Sequence, residues 1–399
     1  MVQRTAYLNQ LIAHCEQKVI KVVTGVRRCG KSTLFSLFQE HLRSTGVGED
    51  QLVSVDLEAL EFEELLDYRA LYRYVKERLC DGRFTYVFID EVHNCPAFEK
   101  AVDSLFIKDH VDVYITGSNA YMLSGELATL LSGRSITIDM LPFSFKEYCE
   151  AVQGSGKTTG QLLNEYLTLG SFPHAATLER RAERVAPYLE GIYNTILIKD
   201  VARREGITDV TLLESIVKTL ASSIGSPISI KKITDTLVSA GRKISMNTVE
   251  RYVRGLTDSY IFYKVDRYDI KGRQHLKTLG KYYMVDTGIR QFLLSQRGSD
   301  LGHLIENVVY LELRRRGYRV NIGKLAQQEV DFVVSGADGM QYFQVAASVL
   351  EEGTLRRELT PLEKITDNYP KVLLTLDEIG NGADHNGIRQ LNLLEWLLQ

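Results

Sequence analysis

The stretch KVIKVVTGVRRCGKSTLFSLFQEHLRS, residues 18–44, decides the fold. Its centre fits G-x-x-x-x-G-K-[ST] at every term: Gly25, four residues, Gly30, Lys31 and Ser32. KVIKVVT is short and rich in β-branched residues, which predicts a buried strand. After the loop, Leu34, Phe35, Leu37, Phe38 and Leu42 fall mostly on one helical face, and Gly46 closes the helix. In a strand–loop–helix of this kind the glycines let backbone N–H groups turn inward on an anion. The helix N-terminus adds its dipole. Lys31 then reaches the β- and γ-phosphates, and Ser32 ligates Mg2+. The residues expected around the phosphates are Gly25, Val26, Arg27, Arg28, Cys29, Gly30, Lys31, Ser32 and Thr33. Arg27 and Arg28 fit two readings, solvated side chains or added positive charge beside the phosphates.

A second stretch, GSGKTT at 154–159, imitates the first and fails twice. Five residues before Gly156 stands Ala151 instead of glycine, and the preceding FSFKEYCEAV reads as helix. QGSGKTTG is read as a polar linker at a domain edge.

Binding phosphate is not hydrolysing it. FTYVFIDEVHN (84–94) is an apolar strand ending in two carboxylates. At a strand's C-terminal end Asp90 would hold the Mg2+ and Glu91 would orient the attacking water as general base. An acidic cap on a buried strand is the plainer reading. A further strand, VDVYITGSNA (111–120), ends in Ser118 and Asn119, and either one could contact the γ-phosphate or the water. Alternating strands and helices predict an α/β fold, a mostly parallel sheet with helices on both faces and its ligand at the strands' carboxyl ends.

GVRRCGKSTL, FIDEVHN, YITGSNAYMLSGELATLLSGR and LPFSFKEY together resemble the bacterial and archaeal AAA-type P-loop ATPases that carry a C-terminal nuclease-like domain of unknown function. The resemblance runs over nearly the whole chain. It implies ATP rather than GTP, and it singles out Arg134 as a group that could stabilise charge on the γ-phosphate. A surface arginine on the last strand is the other reading of Arg134.

Past the core, residues 161–225 read as helices, a lid or spacer. Arg203 and Arg204 there are candidates for an arginine acting in trans, or a solvated helix end. Residues 226–290 read as two helices and a two-stranded wing around DIKGRQ, a winged-helix pattern. Asn247 and Glu250 have capping-box spacing for the second of these helices. From 226 to 281 there are twelve Lys/Arg and five Asp/Glu, a net of +7. The whole chain is −3, so the remainder carries −10. A basic module in an acidic protein is an electrostatic footprint for double-stranded DNA, with Arg251, Arg254 and Lys271 as contacts. Such modules also dock proteins.

The last hundred residues resemble a restriction-endonuclease-like fold. Its working site takes a helix glutamate, a strand aspartate and Glu/Gln-x-Lys around Mg2+. Glu306, Asp331 and Gln344 match, but the lysine position is Ala346, and no spacing promotes another lysine such as Lys324. The domain is therefore expected to be catalytically silent. The domain boundaries expected are 1–150, 151–225, 226–290 and 291–399.

Composition is that of an ordinary soluble globular protein: 399 residues, 44% apolar and 25% charged. The start has no secretory pattern and no run approaches a bilayer span. Five scattered cysteines without a CxxC pair fit a reducing cytoplasm. The expectation is a soluble, cytoplasmic, Mg2+-dependent ATPase, with rings of identical subunits common among its relatives. An ATP-holding DNA switch and an ATP-gated nuclease are the rivals.

Overall fold

The computed structural model describes residues 2–120, 133–179, 181–294 and 301–399. It divides into two compact units, 1–140 with 258–260, and 141–257 with 261–399.

The first unit is built on a five-stranded, all-parallel sheet. Its strands are β1 (Ile20–Thr24), β2 (Leu52–Asp56), β3 (Thr85–Asp90), β4 (Val111–Gly117) and β5 (Ser135–Asp139), in the order β2-β3-β4-β1-β5. β1, β3 and β4 are buried along their whole length, as continuous apolar strands in the middle of a parallel sheet should be. β2 and β5 lie at the edges and alternate or thin out in burial. On one face, helices Tyr68–Lys76 and Phe98–Phe106 cover Val87, Ile89, Val113 and Ile115. Phe35 and Phe38 of helix Lys31–Ser44 pack edge-on against Phe88, which stacks on Tyr114 at 4.9 Å. The helix foreseen after the glycine loop thus docks through the apolar stripe visible in the sequence.

At the N-terminal end of the sheet lies a buried charge pair. Lys21 is fully buried and bonds Asp112 of the adjacent strand, whose other oxygen accepts from Tyr114 Oη at 2.6 Å and Glu16 N at 2.7 Å. Burial pulls the Lys21 ammonium below its ordinary pKa, partly offset by Asp112.

In the second unit, helices Phe145–Ala151, Thr159–Leu169, Ala182–Thr195, Val210–Ser222, Ile230–Ser239 and Met246–Asp258 precede a mixed sheet. The imitation loop joins the first two of these helices, and Thr158 in it caps the second with Gln161 as a capping box. Lys157 pairs with Glu165 at the surface. The helix expected to open at Asn247 starts one residue earlier, with Thr248 N donating to Ser245 Oγ at 3.2 Å. The serine, two residues upstream of the foreseen cap, does the capping.

The hairpin β6 (Phe262–Asp269) and β7 (Gln274–Met284) follows those helices. It is continuous with the strands after it: β8 (Arg319–Leu325), β9 (Gln328–Gly336), β10 (Gly339–Ala346), β11 (Lys371–Thr375), β12 (Asp384–His385) and β13 (Ile388–Asn392). The eight form one sheet, ordered β12-β13-β11-β10-β9-β8-β6-β7, that runs across the expected boundary at 290. β8, β9 and β10 make an antiparallel meander, and helix Leu301–Arg315 packs on it.

Asp112→Ala would leave the Lys21 ammonium buried and unpaired, at an expected cost of about 3–5 kcal/mol. Lys21→Met with Asp112→Leu should recover most of that loss. Denaturant unfolding midpoints of the single and double variants check both.

Candidate nucleotide-binding site

β1 ends at Thr24 and the chain turns at once through Gly25, whose φ is 151°. A Cβ there would sit 2.1 Å from the carbonyl oxygen of Met140, so only glycine fits. Gly30, at φ 107°, caps the following helix, and Leu34 N bonds back to its carbonyl at 2.9 Å. Between these glycines Val26, Arg27 and Cys29 are buried and Arg28 is exposed at a φ of 67°. Arg27 is ion-paired with Glu58, just beyond β2, so it neither reaches freely into solvent nor stands alone. Ser32 and Thr33 open the helix as expected.

Lys31 is only 4% exposed. Its ammonium donates to the carbonyls of Gly25 at 3.1 Å and Val26 at 3.5 Å and lies 3.2 Å from Glu91 Oε1. Burial alone would lower its pKa, but Glu91, Cys29 and Asp90 together outweigh burial and hold it above the ordinary value. The loop thus folds round a single ammonium that a triphosphate would otherwise meet.

Asp90 and Glu91 stand at the C-terminal end of β3, beside the loop. Burial raises the Asp90 carboxyl, opposed by hydrogen bonds from Ser32 and Thr116. The bond between Ser32 and Asp90 joins the two expected Mg2+ ligands. Glu91 adopts a left-handed φ of 48°, and its N–H bonds Thr116 Oγ1 at 2.9 Å. Its carboxylate oxygens are divided. Oε1 faces Lys31, while Oε2 accepts from Ser118 N at 3.2 Å and lies 3.3 Å from His93 Nδ1. Burial pushes this carboxyl up, and Lys31, His93 and Arg27 outweigh it and keep it below the usual range.

A nucleotide with its cation fits these residues. The hydroxyls of Thr24 and Ser118, at the ends of β1 and β4, are buried without a hydrogen-bond partner in a site whose charges are otherwise satisfied. Polar groups left dry at a sheet's carboxyl edge are what an oxygen-rich ligand would complete.

Lys31, Ser32, Asp90 and Glu91 come together as foreseen. Asn119 is buried two residues past the end of β4, and its neighbour Ser118 supplies the N–H that touches Glu91. Arg134 does not join them. It precedes β5, and its carbonyl accepts from Ile20 N, so it lies beside the start of β1. That is a whole strand, roughly 16 Å at the usual rise per residue, from the loop. Its guanidinium pairs with Asp103. The resemblance pointed to Arg134 without showing that a strand parallel to β1 starts at the edge opposite the loop, and its exposed pairing fits the reading as a surface arginine. The intervening segment, 121–132, lies outside the described residues.

Two neighbours of the loop gave no signal. Buried Arg4, far upstream, donates from Nη1 to Cys29 O at 3.1 Å, and His93 meets the general-base candidate. In the second unit Arg251, Arg254 and Lys271 are all exposed, as a contact surface requires. Arg203 and Arg204 begin the short turn of helix after a π-helical stretch at Ile196–Ala202. Glu306, Asp331 and Gln344 do converge. Asp331 N donates to Gln344 Oε1 at 3.2 Å, while Glu306 lies on the packed helix and shares the ammonium of Lys281 with Asp331.

What a loop of this shape wraps is phosphate, and the sheet order and loop together define a P-loop nucleotide-binding fold of the AAA type. The pattern of the family described as AAA domain matches residues 17–149, and a domain of unknown function matches 160–300. The chain is 35% identical over 402 residues to an uncharacterized protein of Haemophilus influenzae, covering 100% of this chain and 99% of that one. An uncharacterized protein of Methanocaldococcus jannaschii is 29% identical over 389 residues, 90% of this chain and 83% of its own. Among solved structures, a Walker-type ATPase of Pyrococcus abyssi superposes with a TM-score of 0.51 at 13% identity, covering 73% of this chain and 96% of that one. The chain belongs to the bacterial and archaeal family of AAA-type P-loop ATP-binding proteins. Among the described residues, no helix is long and apolar enough to cross a membrane.

Gly25→Ala should lower the denaturant midpoint of the chain. Backbone strain alone costs about 1–3 kcal/mol, and the contact with Met140 adds to it.

Proposed function

We propose that the chain is an Mg2+-dependent ATPase whose turnover is read out by the second unit. The observation that carries this is the partition of Glu91, one oxygen anchored by Ser118 N–H and the other facing Lys31. A triphosphate competes for the Lys31 ammonium. Once Lys31 turns to the phosphates, Oε1 is released to accept a proton from water while Oε2 stays fixed, which is the arrangement a general base needs. Ser32 and Asp90 are the residues that would hold Mg2+, which when bound supplies charge neutralisation at the phosphate oxygens. Ser118 Oγ, buried and unpartnered, and Asn119 beside it are the groups placed to orient the water.

ATP as the nucleotide accords with family membership. The helix pair and hairpin at 226–290 are assigned as a winged helix contacting duplex DNA. The exposed Arg251, Arg254 and Lys271 within the +7 segment favour DNA over a neutral docking partner. Residues 151–225 serve as a helical spacer and 291–399 as a silent nuclease-like domain. Assembly into a cytoplasmic homo-oligomer, with Arg203 or Arg204 reaching a neighbour's site, completes the reading.

Two measurements test it. Lys31→Ala should weaken ATP binding at least about tenfold by calorimetry, the worth of one charge-assisted contact. Glu91→Gln should keep the affinity and slow steady-state phosphate release by about 10²–10⁴-fold. Undiminished turnover in Glu91→Gln would leave a nucleotide-binding switch. Repeating the assay with duplex DNA, with and without Arg251→Ala and Arg254→Ala, reads the DNA assignment.

A further inference from the structure

Directly after Glu91 the chain makes one short turn of 3-10 helix, Val92–Asn94. Asn94 N donates to Glu91 O at 3.0 Å and Cys95 N to Val92 O at 3.1 Å, which closes the turn. The left-handed φ of 48° at Glu91 starts it. Such a backbone is costly for a residue with a Cβ and persists only where its surroundings impose it. Here they do. Glu91 N is tied to Thr116 Oγ1 at 2.9 Å, and Val92 is fully buried in the apolar cluster that also holds Val87 and Ile89 of β3. With the turn fixed in this way, His93 comes back on the residue two before it. Its Nδ1 lies 3.3 Å from Glu91 Oε2, and its side chain is only 25% exposed.

A glutamate carboxylate turns easily, because its last torsion has broad wells. One hydrogen bond to one oxygen fixes a distance and leaves the carboxylate plane free to swing. Lys31, 3.2 Å from Oε1, supplies a hold on the other oxygen. On the function proposed, the phosphates draw that ammonium away just when the base has to be aimed. The holds that remain are on Oε2, where Ser118 N donates at 3.2 Å and His93 stands at 3.3 Å. They come from different elements, the end of β4 and the turn after β3, so together they set a plane that neither sets alone. An imidazole placed against a carboxylate donates through the nitrogen that carries hydrogen, which makes Nδ1 the protonated position.

We propose that His93 is the positioning residue of the general base: with Ser118 N–H it pins Oε2, so that Oε1 stays aimed at the water after Lys31 has turned to the phosphates. This rests on the ATPase reading. In this role His93 touches neither phosphate nor water and acts only through Glu91.

Steady-state phosphate release and calorimetric ATP affinity of the full-length chain test it. His93→Ala should lower kcat about tenfold, the worth of one hydrogen bond to a charged group, with ATP affinity unchanged. His93→Asn, whose amide nitrogen can take the place of Nδ1, should recover most of the loss. In a Glu91→Gln background, His93→Ala should cost nothing more, since the carboxylate it serves is already gone. If His93→Ala does not fold, His93→Phe keeps the bulk of the ring without its nitrogens and reads the same loss. Wild-type turnover in a folded His93→Ala beside slowed turnover in Glu91→Gln overturns the proposal and leaves the ATPase reading standing. A full second loss on top of Glu91→Gln overturns it too, as does a fall in ATP affinity that matches the fall in kcat. Turnover indifferent to Glu91→Gln defeats the ATPase reading itself, and this proposal with it.

Discussion

Everything in the first unit is arranged round one desolvated ammonium. Lys31 can be buried only because two loop carbonyls and a carboxylate accept its charge. Those acceptors exist only because Gly25 turns where no side chain fits and Glu91 takes a left-handed backbone beside it. The sheet order puts the ends of β1, β3 and β4 side by side, so that a lysine, a carboxylate pair and a serine distant in sequence become neighbours. The buried bodies of those strands hold the ends in register.

Buried lysine recurs as a device. Lys21, Lys31 and Lys281 are the lysines fully buried among the described residues, and each meets a carboxylate from a neighbouring strand or helix. In each case removing the acid would strand a positive charge away from water, which is costlier than never having placed the pair there. The pairs differ in what can replace the partner. At Lys31 a bound triphosphate, on the function proposed, would compete with the carboxylate for the ammonium. Lys21 is sealed by Tyr114 and Glu16 N–H on its partner.

The glycine loop, its flanking strand and helix, and Asp90–Glu91 were legible because each signal is contiguous: the spacing that carries the chemistry is also the spacing along the chain. What escaped depends on pairing between segments. Arg134 was misplaced because its position follows from β5 running parallel to β1, and Arg4 meets Cys29, and Lys281 meets Glu306, across 25 residues of chain. The misassigned cap differed in kind, since Ser245 and Asn247 are both good caps and propensity alone does not rank them.

The basic hairpin is joined to the meander by a ladder in which Arg267–Asp269 pair with Ile322–Lys324. β6 and β8 run parallel there, so the hairpin cannot swing as an independent flap without tearing those bonds. A load applied at its tip, by a bound polymer for instance, would travel sideways through the sheet as shear. The mechanical unit is therefore the sheet, and its compliance is set at the irregular step between Val265 and Arg267, where the register slips.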